Sequence, residues 1–215
     1  MGHKVKILIL TNGEYGDYAF CENTEVYDCI VCADNGLKHA KRLQLKPDYI
    51  VGDLDSCSKE DWLYYKEQGV HVDVYPSQKN ETDTEIAVEK AIALGGTEID
   101  IWGGLGSRFD HTLANVHLLL GALRRGVKLR LCNPQNTVQL MDKKLRIQGK
   151  KGDILSLLPL TPLVRGVYTT NLAYAVCGGS FEIGKPYGVS NVFLEEWVEV
   201  SIEEGLLLVI QVRDE

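Results

Sequence analysis

The sequence is notable first for what it lacks. No uninterrupted run of about 18 apolar residues occurs, which excludes a helix that spans a membrane. Basic residues are outnumbered, 23 Lys and Arg against 30 Asp and Glu, for a formal charge of −7. That balance argues against a broad basic face for nucleic acid. No internal repeat, low-complexity tract or disorder-prone composition is visible in the 215 residues. The apolar run 5–10 is too short for a secretory h-region and lacks a small-residue cleavage site, so it reads as a buried strand. Cys29 and Cys32 form a single C-x-x-C with no second pair to complete a metal site. In a strand, positions three apart point to opposite faces. The six cysteines therefore read as buried free thiols in a reducing cytoplasm. No P-loop, no full G-x-G-x-x-G, no H-E-x-x-H and no serine–histidine–acid pattern is present.

What is present falls into two textures. Up to about residue 135, short apolar runs alternate with amphipathic stretches. Strands are expected at 5–10, 29–33, 48–51, 70–75, 99–102 and 128–132, mostly without polar alternation, as in a sheet covered on both faces. Helices are expected at 36–45, 58–68, 82–94 and 110–125, the third opening on a Thr-Asp-Thr-Glu capping box and stopping at Gly95-Gly96. This alternation implies an open, mostly parallel α/β sheet. After Asn133-Pro134-Gln135-Asn136, strands follow one another with only turns between. They are expected at 137–141, 144–148, 154–159, 164–169, 173–176, 179–183, 197–202 and 206–211. Glycine turns about every ten residues fit an antiparallel sandwich. The expectation is an α/β domain over 1–135 followed by an all-β sandwich domain over 136–215.

The acidic residues of the first half fall just after its strands. Asp34 follows CIVCA, Asp53 and Asp55 follow DYIVG, Asp83 lies beyond VDVY, and Asp110 follows IDIWGGLGSRF. Ligands bind outside the carboxyl ends of strands in an open α/β sheet. Carboxylates converging there repel one another unless a cation neutralises them, and oxygen-only ligands favour Mg²⁺ shared with substrate phosphates. An extended Asp53-Leu54-Asp55 would place both carboxylates on one side, roughly 7 Å apart at Cα, with Leu54 in the core. The glycine-rich Gly103-Gly104-Leu105-Gly106 lets backbone approach a phosphate, the helix start beyond it offers free N–H groups, and Arg108 adds a planar donor. Asn35-Gly36 is a further glycine turn suited to a nucleotide. His111 is either a general base or a helix N-terminal packing residue. His117 is expected in helix packing, His3, His39 and His71 at the surface, and Trp197 in a sheet core. These residues alone fit a site where a divalent cation and glycine-rich turns hold a nucleotide or another polyphosphate.

Taken together and in order, the motifs resemble the thiamine pyrophosphokinase family. The likeness is carried by Ala33-Asp34-Asn35-Gly36, by Pro47-Asp48-Tyr49-Ile50-Val51-Gly52-Asp53-Leu54-Asp55-Ser56, by Lys79-Asn80-Glu81-Thr82-Asp83, and by the run from Gly103 to His111 with Ala114-Asn115. Gly188-Val189-Ser190-Asn191 and Glu204-Gly205-Leu206-Leu207-Leu208 extend it to the C-terminal half. The resemblance implies transfer of diphosphate from ATP to the hydroxyl of thiamine, giving thiamine diphosphate and AMP. It implies Asp53, Asp55 and Asp83 as catalytic Mg²⁺ ligands, and Asp34, Gly36, Lys79, Arg108 and Asp110 at the nucleotide and phosphates. It also implies Tyr174, Ser190 and Asn191 at thiamine, in a homodimer whose substrate site lies between the α/β domain of one subunit and the β-domain of the other. Two positions depart from the pattern: Asn80 stands where the family usually has aspartate, and Asn35 where it commonly has glycine. The rivals to this resemblance are a diphosphotransferase on the same α/β core with another heterocyclic alcohol as acceptor, such as a hydroxymethylpterin, and a non-catalytic protein that binds a nucleotide or thiamine.

Overall fold

The computed structural model describes residues 4–22 and 24–213, so the expectation for His3 lies outside the described residues. The chain divides into two compact units, one ending at Pro134 and the other beginning at Gln135.

The first unit contains six parallel strands: β1 (Lys6–Leu10), β2 (Cys29–Ala33), β3 (Tyr49–Gly52), β4 (His71–Val74), β5 (Glu98–Trp102) and β6 (Lys128–Cys132). Their order is β6-β5-β1-β2-β3-β4. Helices α1 (Leu37–Arg42), α2 (Lys59–Glu67), α3 (Asp83–Ala93) and α4 (Phe109–Arg124) connect them. Alternation along β1 splits its side chains between two faces. Leu8 and Leu10 join Cys32, Ile50, Leu37 and Ala40 of α1, and Tyr65 of α2 in one cluster. Ile7 and Ile9, also fully buried, point the other way, and α3 packs against β1, β2 and β3. Double coverage is why these strands read as continuous apolar runs. The chain leaves β1 for β2 on one side and returns to β5 on the other, which makes the β1/β5 boundary the topological switch point.

The second unit is antiparallel throughout. Strands β7 (Asn136–Met141), β9 (Ile154–Pro159), β12 (Asn191–Val192) and β14 (Leu207–Val212) are ordered β12-β9-β14-β7. Strands β8 (Lys144–Gln148), β10 (Leu163–Thr170), β11 (Cys177–Glu182) and β13 (Trp197–Ser201) are ordered β11-β10-β13-β8. Leu155, Leu157, Leu207 and Val209 from the first set meet Val164, Val167, Phe181, Val198 and Val200 from the second in a single core. The fold class is therefore the expected one, a largely parallel α/β sheet followed by an antiparallel β region.

Several local expectations fail for identifiable reasons. Segment 173–176 is not a strand, because Asn191 occupies its backbone: Asn191 Oδ1 accepts from Tyr174 N at 2.9 Å and Asn191 Nδ2 donates to Tyr174 O at 2.7 Å. Helix α1 is shorter than expected, since a 3₁₀ turn takes Asp34–Gly36 and the left-handed Gln44 (φ 56°) follows its end. His39 is buried rather than at the surface, stacked on Tyr15 at 3.6 Å and hydrogen-bonded through Nδ1 to Tyr18 Oη at 2.7 Å. Burial, aided by Lys38 and Arg42, pulls its imidazole down to about 4. His117 is exposed on α4 rather than packed. Trp197 is 37% exposed with the Arg146 guanidinium 4.3 Å above its ring, so it covers a sheet surface instead of filling the core. None of the six cysteines is in a disulfide, but only Cys21 and Cys32 are buried, and Cys177 is exposed. No helix among the described residues is long and apolar enough to cross a membrane.

Candidate active site

Three strand-end segments deliver carboxylates to one place. Ala33 ends β2, and Asp34 follows at φ 45°, a left-handed conformation that turns the chain at once into the 3₁₀ turn. A Cβ at Gly36 would lie 2.1 Å from Leu10 O, so glycine there serves the close passage of that turn over β1. Gly52 ends β3 at φ 141°, where a Cβ would sit 3.2 Å from both Asp34 Cβ and Asp83 Oδ1. Thr82 caps α3, its Oγ1 accepting from Glu85 N at 3.1 Å, and so sets Asp83 at the first helical position. As a result, Asp34, Asp53 and Asp83 each bring a carboxylate oxygen within 4.8 Å of the others.

The trio differs from the expected set by one member. Leu54 is buried as expected, but at φ 60° it breaks the extended geometry that would align Asp53 with Asp55. The segment turns instead, and Asp55 N donates to Asp53 Oδ1 at 3.2 Å. Asp55 is exposed and stays outside the close group, and Asp34 takes its place. Asp110 also stands apart, salt-bridged to Arg108 at 2.6 Å, and that guanidinium holds its carboxyl down at about 2.

The neighbours of the trio supply it with hydrogen-bond donors and one cation. Ser56 Oγ and Cys57 Sγ both donate to Asp34. The Asp55 amide lowers Asp53 against the opposing effect of burial, with Lys79 and Ser77 adding to it. The hydrogen bond to Asp53 and that carboxylate's charge raise Asp55. Lys79 Nζ lies 3.0 Å from Asp83 Oδ1 and 3.7 Å from Asp53 Oδ2. Burial opposes its charge, but the bond to Asp83 and the two carboxylates hold the ammonium above its usual value. Donors that are all oxygen, a hollow that a Cβ at Gly52 would begin to fill, and a buried Asp83 Oδ1 without a well-directed hydrogen bond together fit a Mg²⁺ site.

Beside the trio a cleft of about 550 Å³ opens at the switch point. Its walls are Thr11, Asn12, Gly13 and Glu14 after β1, Asp34 and Lys38 after β2, and the segment from Gly103 to Arg108 after β5. The β1 and β5 loops are pressed together: a Cβ at Gly13 would fall 1.9 Å from Gly103 O, and one at Gly103 would fall 2.6 Å from Tyr15 Cε2. From α4, Asn115 Nδ2 donates to Gly104 O at 2.8 Å, and the Thr112 hydroxyl bonds to Gly106 at 3.2 Å. His111 and Arg108 line the cleft, whereas Gly36, Lys79 and Asp110 do not. The β1 loop is absent from the sequence reading. Its signal was available, since Thr11-Asn12-Gly13 follows an apolar strand just as the aspartates do, but it carries no titratable group until Glu14.

In the second unit, Tyr174 and Asn191 are brought together by the paired hydrogen bonds already described. Asn191 Oδ1 also accepts from Val192 N at 2.9 Å, so the buried carboxamide is spent on backbone and positions Tyr174. The Tyr174 ring is 71% exposed. Ser190 is exposed at φ 59°, its N–H donating to Ser156 Oγ at 3.1 Å.

Two family models match, the thiamin pyrophosphokinase catalytic domain over residues 21–131 and the thiamin pyrophosphokinase vitamin B1 binding domain over residues 141–207. A thiamine pyrophosphokinase of Bacillus subtilis is 25% identical over 170 residues, covering 78% of this chain and 79% of that protein. The crystal structure of a thiamin pyrophosphokinase family protein from Enterococcus faecalis is similar with a TM-score of 0.83 at 27% identity, covering 99% of this chain and 100% of that one. The Bacillus subtilis crystal structure has a TM-score of 0.87 at 22% identity, covering 98% and 100%, and adds support for the fold. With catalytic and vitamin-binding models matched in chain order on the two halves, this chain belongs to the thiamin pyrophosphokinase family.

Proposed function

We propose that the chain transfers the terminal diphosphate of ATP to the hydroxyl of thiamine, giving thiamine diphosphate and AMP. The thiamine oxygen attacks the β-phosphorus, the bond from that phosphorus to the α–β bridging oxygen breaks, and AMP leaves with the bridging oxygen. The observation that carries this reading is the convergence of Asp34, Asp53 and Asp83 beside the switch-point cleft. In it these three carboxylates hold Mg²⁺, which neutralises charge on the phosphate oxygens when bound. Asp55, next to the trio, shapes its field, and one carboxylate of the group accepts the hydroxyl proton. The N–H groups of the Gly103–Arg108 segment and the Arg108 guanidinium bind phosphate. The β1 loop holds the nucleoside.

The first unit is the nucleotide-binding catalytic domain in this reading, and the second is the thiamine-binding domain. Tyr174 stacks on the flat heterocycle, with Ser190 beside it and Asn191 positioning both. Exposed Tyr174, Tyr187, Val189 and Leu194 on the second unit favour a homodimer in which this face meets the catalytic domain of a second copy. Six cysteines without a disulfide among them favour the cytoplasm.

The test is incubation of the protein with ATP, Mg²⁺ and thiamine, with products separated by chromatography. AMP and thiamine diphosphate should appear in equal amounts. AMP formed only with a hydroxymethylpterin would move the assignment to that acceptor, and nucleotide binding without AMP under any acceptor would make it a binding protein.

A further inference from the structure

We propose that Lys79 is the resident counter-ion of the carboxylate trio and must leave it before a divalent cation enters, which makes metal binding depend on the nucleotide. The proposal rests on reading the trio as the metal site. Among the described residues, Lys79 is the one cationic side chain in ion-pair contact with any of the three carboxylates. Its position is enclosed, with the side chain 11% exposed and those of Asp53 and Asp83 13% and 29%. It reaches Oδ1 of Asp83, the oxygen without a well-directed hydrogen bond.

An ammonium and a metal ion compete here on two grounds. A carboxylate-bound Mg²⁺ sits roughly 2.1 Å from its oxygens, so two cations sharing Asp83 would be only a few ångströms apart. Repulsion at that range is poorly screened in an enclosed site. Entry of a bare cation thus sacrifices both Lys79 ion pairs and strands the ammonium. Entry together with a polyphosphate does not, because phosphate oxygens give the displaced ammonium new partners. Linkage requires the reverse as well: bound metal strengthens nucleotide binding by the same factor as bound nucleotide strengthens metal binding.

The test uses Mn²⁺ alone, titrated calorimetrically into the full chain without nucleotide, and then Mn²⁺ with an ATP analogue carrying a methylene between the α and β phosphorus. Lys79→Met should bind Mn²⁺ alone on the order of tenfold more tightly than wild type, and the metal–analogue pair on the order of tenfold more weakly. Lys79→Arg, which keeps the charge, should stay near wild type with Mn²⁺ alone. Mn²⁺ should also raise the melting temperature of Lys79→Met more than that of wild type. If Lys79→Met binds Mn²⁺ no more tightly than wild type, undetectable binding in both included, the counter-ion role is overturned. If Asp53→Asn binds Mn²⁺ in the presence of the analogue as tightly as wild type does, the metal-site reading itself fails, independently of Lys79.

Discussion

The two units present their candidate residues in opposite ways. In the first, the candidate side chains are enclosed and already engaged: Asp34 with Ser56 and Cys57, Asp53 and Asp83 with Lys79. In the second, only the backbone is held. Asn191 fixes the main chain of Tyr174 on both sides, while the aromatic ring stands 71% exposed. Both devices use left-handed backbone, at Asp34 and Leu54 in one case and at Asn171 and Ser190 in the other. Strain of this kind persists where surrounding structure over-determines it. On the proposed function, the difference teaches that charge must be organised before a highly charged substrate arrives, whereas a stacking surface needs only to be aimed.

The sharpest way to break that comparison is to substitute one member from each unit. Asp53→Asn should lower kcat by about a hundredfold or more, because a ligand is weakened where charge develops in the transition state. Thermal stability should change far less than turnover, since one of three mutually repelling charges is removed. Near-normal turnover at saturating Mg²⁺ would take Asp53 out of the site.

The enclosed half should also respond to acid in a way the exposed half does not. His39, beneath the β1 loop, is held at about 4 when folded against about 6.5 when unfolded. The unfolded chain therefore binds the extra proton between these values. His39 contributes no penalty above pH 6.5 and an increasing one as pH falls toward 4, reaching at most about 3 kcal/mol. Denaturant melts of wild type and His39→Gln across this window should show a flatter acid limb for the variant, and parallel limbs would refute it.

Tyr174→Ala should have the smallest effect. It should raise KM for thiamine by an amount equivalent to about 1–3 kcal/mol if stacking resembles that of bases on aromatic rings. Stability and KM for ATP should be unchanged. An unaltered KM for thiamine would return Tyr174 to the surface.

The legibility of the sequence follows the same division. Strands β2, β6, β8 and β9 were readable to the residue, because burial on two faces or strict alternation leaves a period that composition cannot hide. The convergence of carboxylates at the rim was legible too, since Asp34 and Asp53 follow apolar strands and Asp83 opens the helix after another. Its membership was not. Exchanging Asp55 for Asp34 depends on the sign of one backbone angle at Leu54, a leucine with no glycine-like signature. The burial of His39 was hidden because a basic, amphipathic helix gives no sign that aromatic residues some twenty positions earlier will fold over it. The missing strand at 173–176 depended on a carboxamide 17 residues away.

The contact between Gly13 and Gly103 has a practical consequence. Two loops 90 positions apart form a seam without room for even a methyl group, so neither can vary alone without splitting the cleft wall. Any effort to reshape the cleft should leave both glycines untouched. Diversity belongs at Asn12, Glu14 and Ser107, whose side chains are exposed at the cleft lining and are not part of that seam.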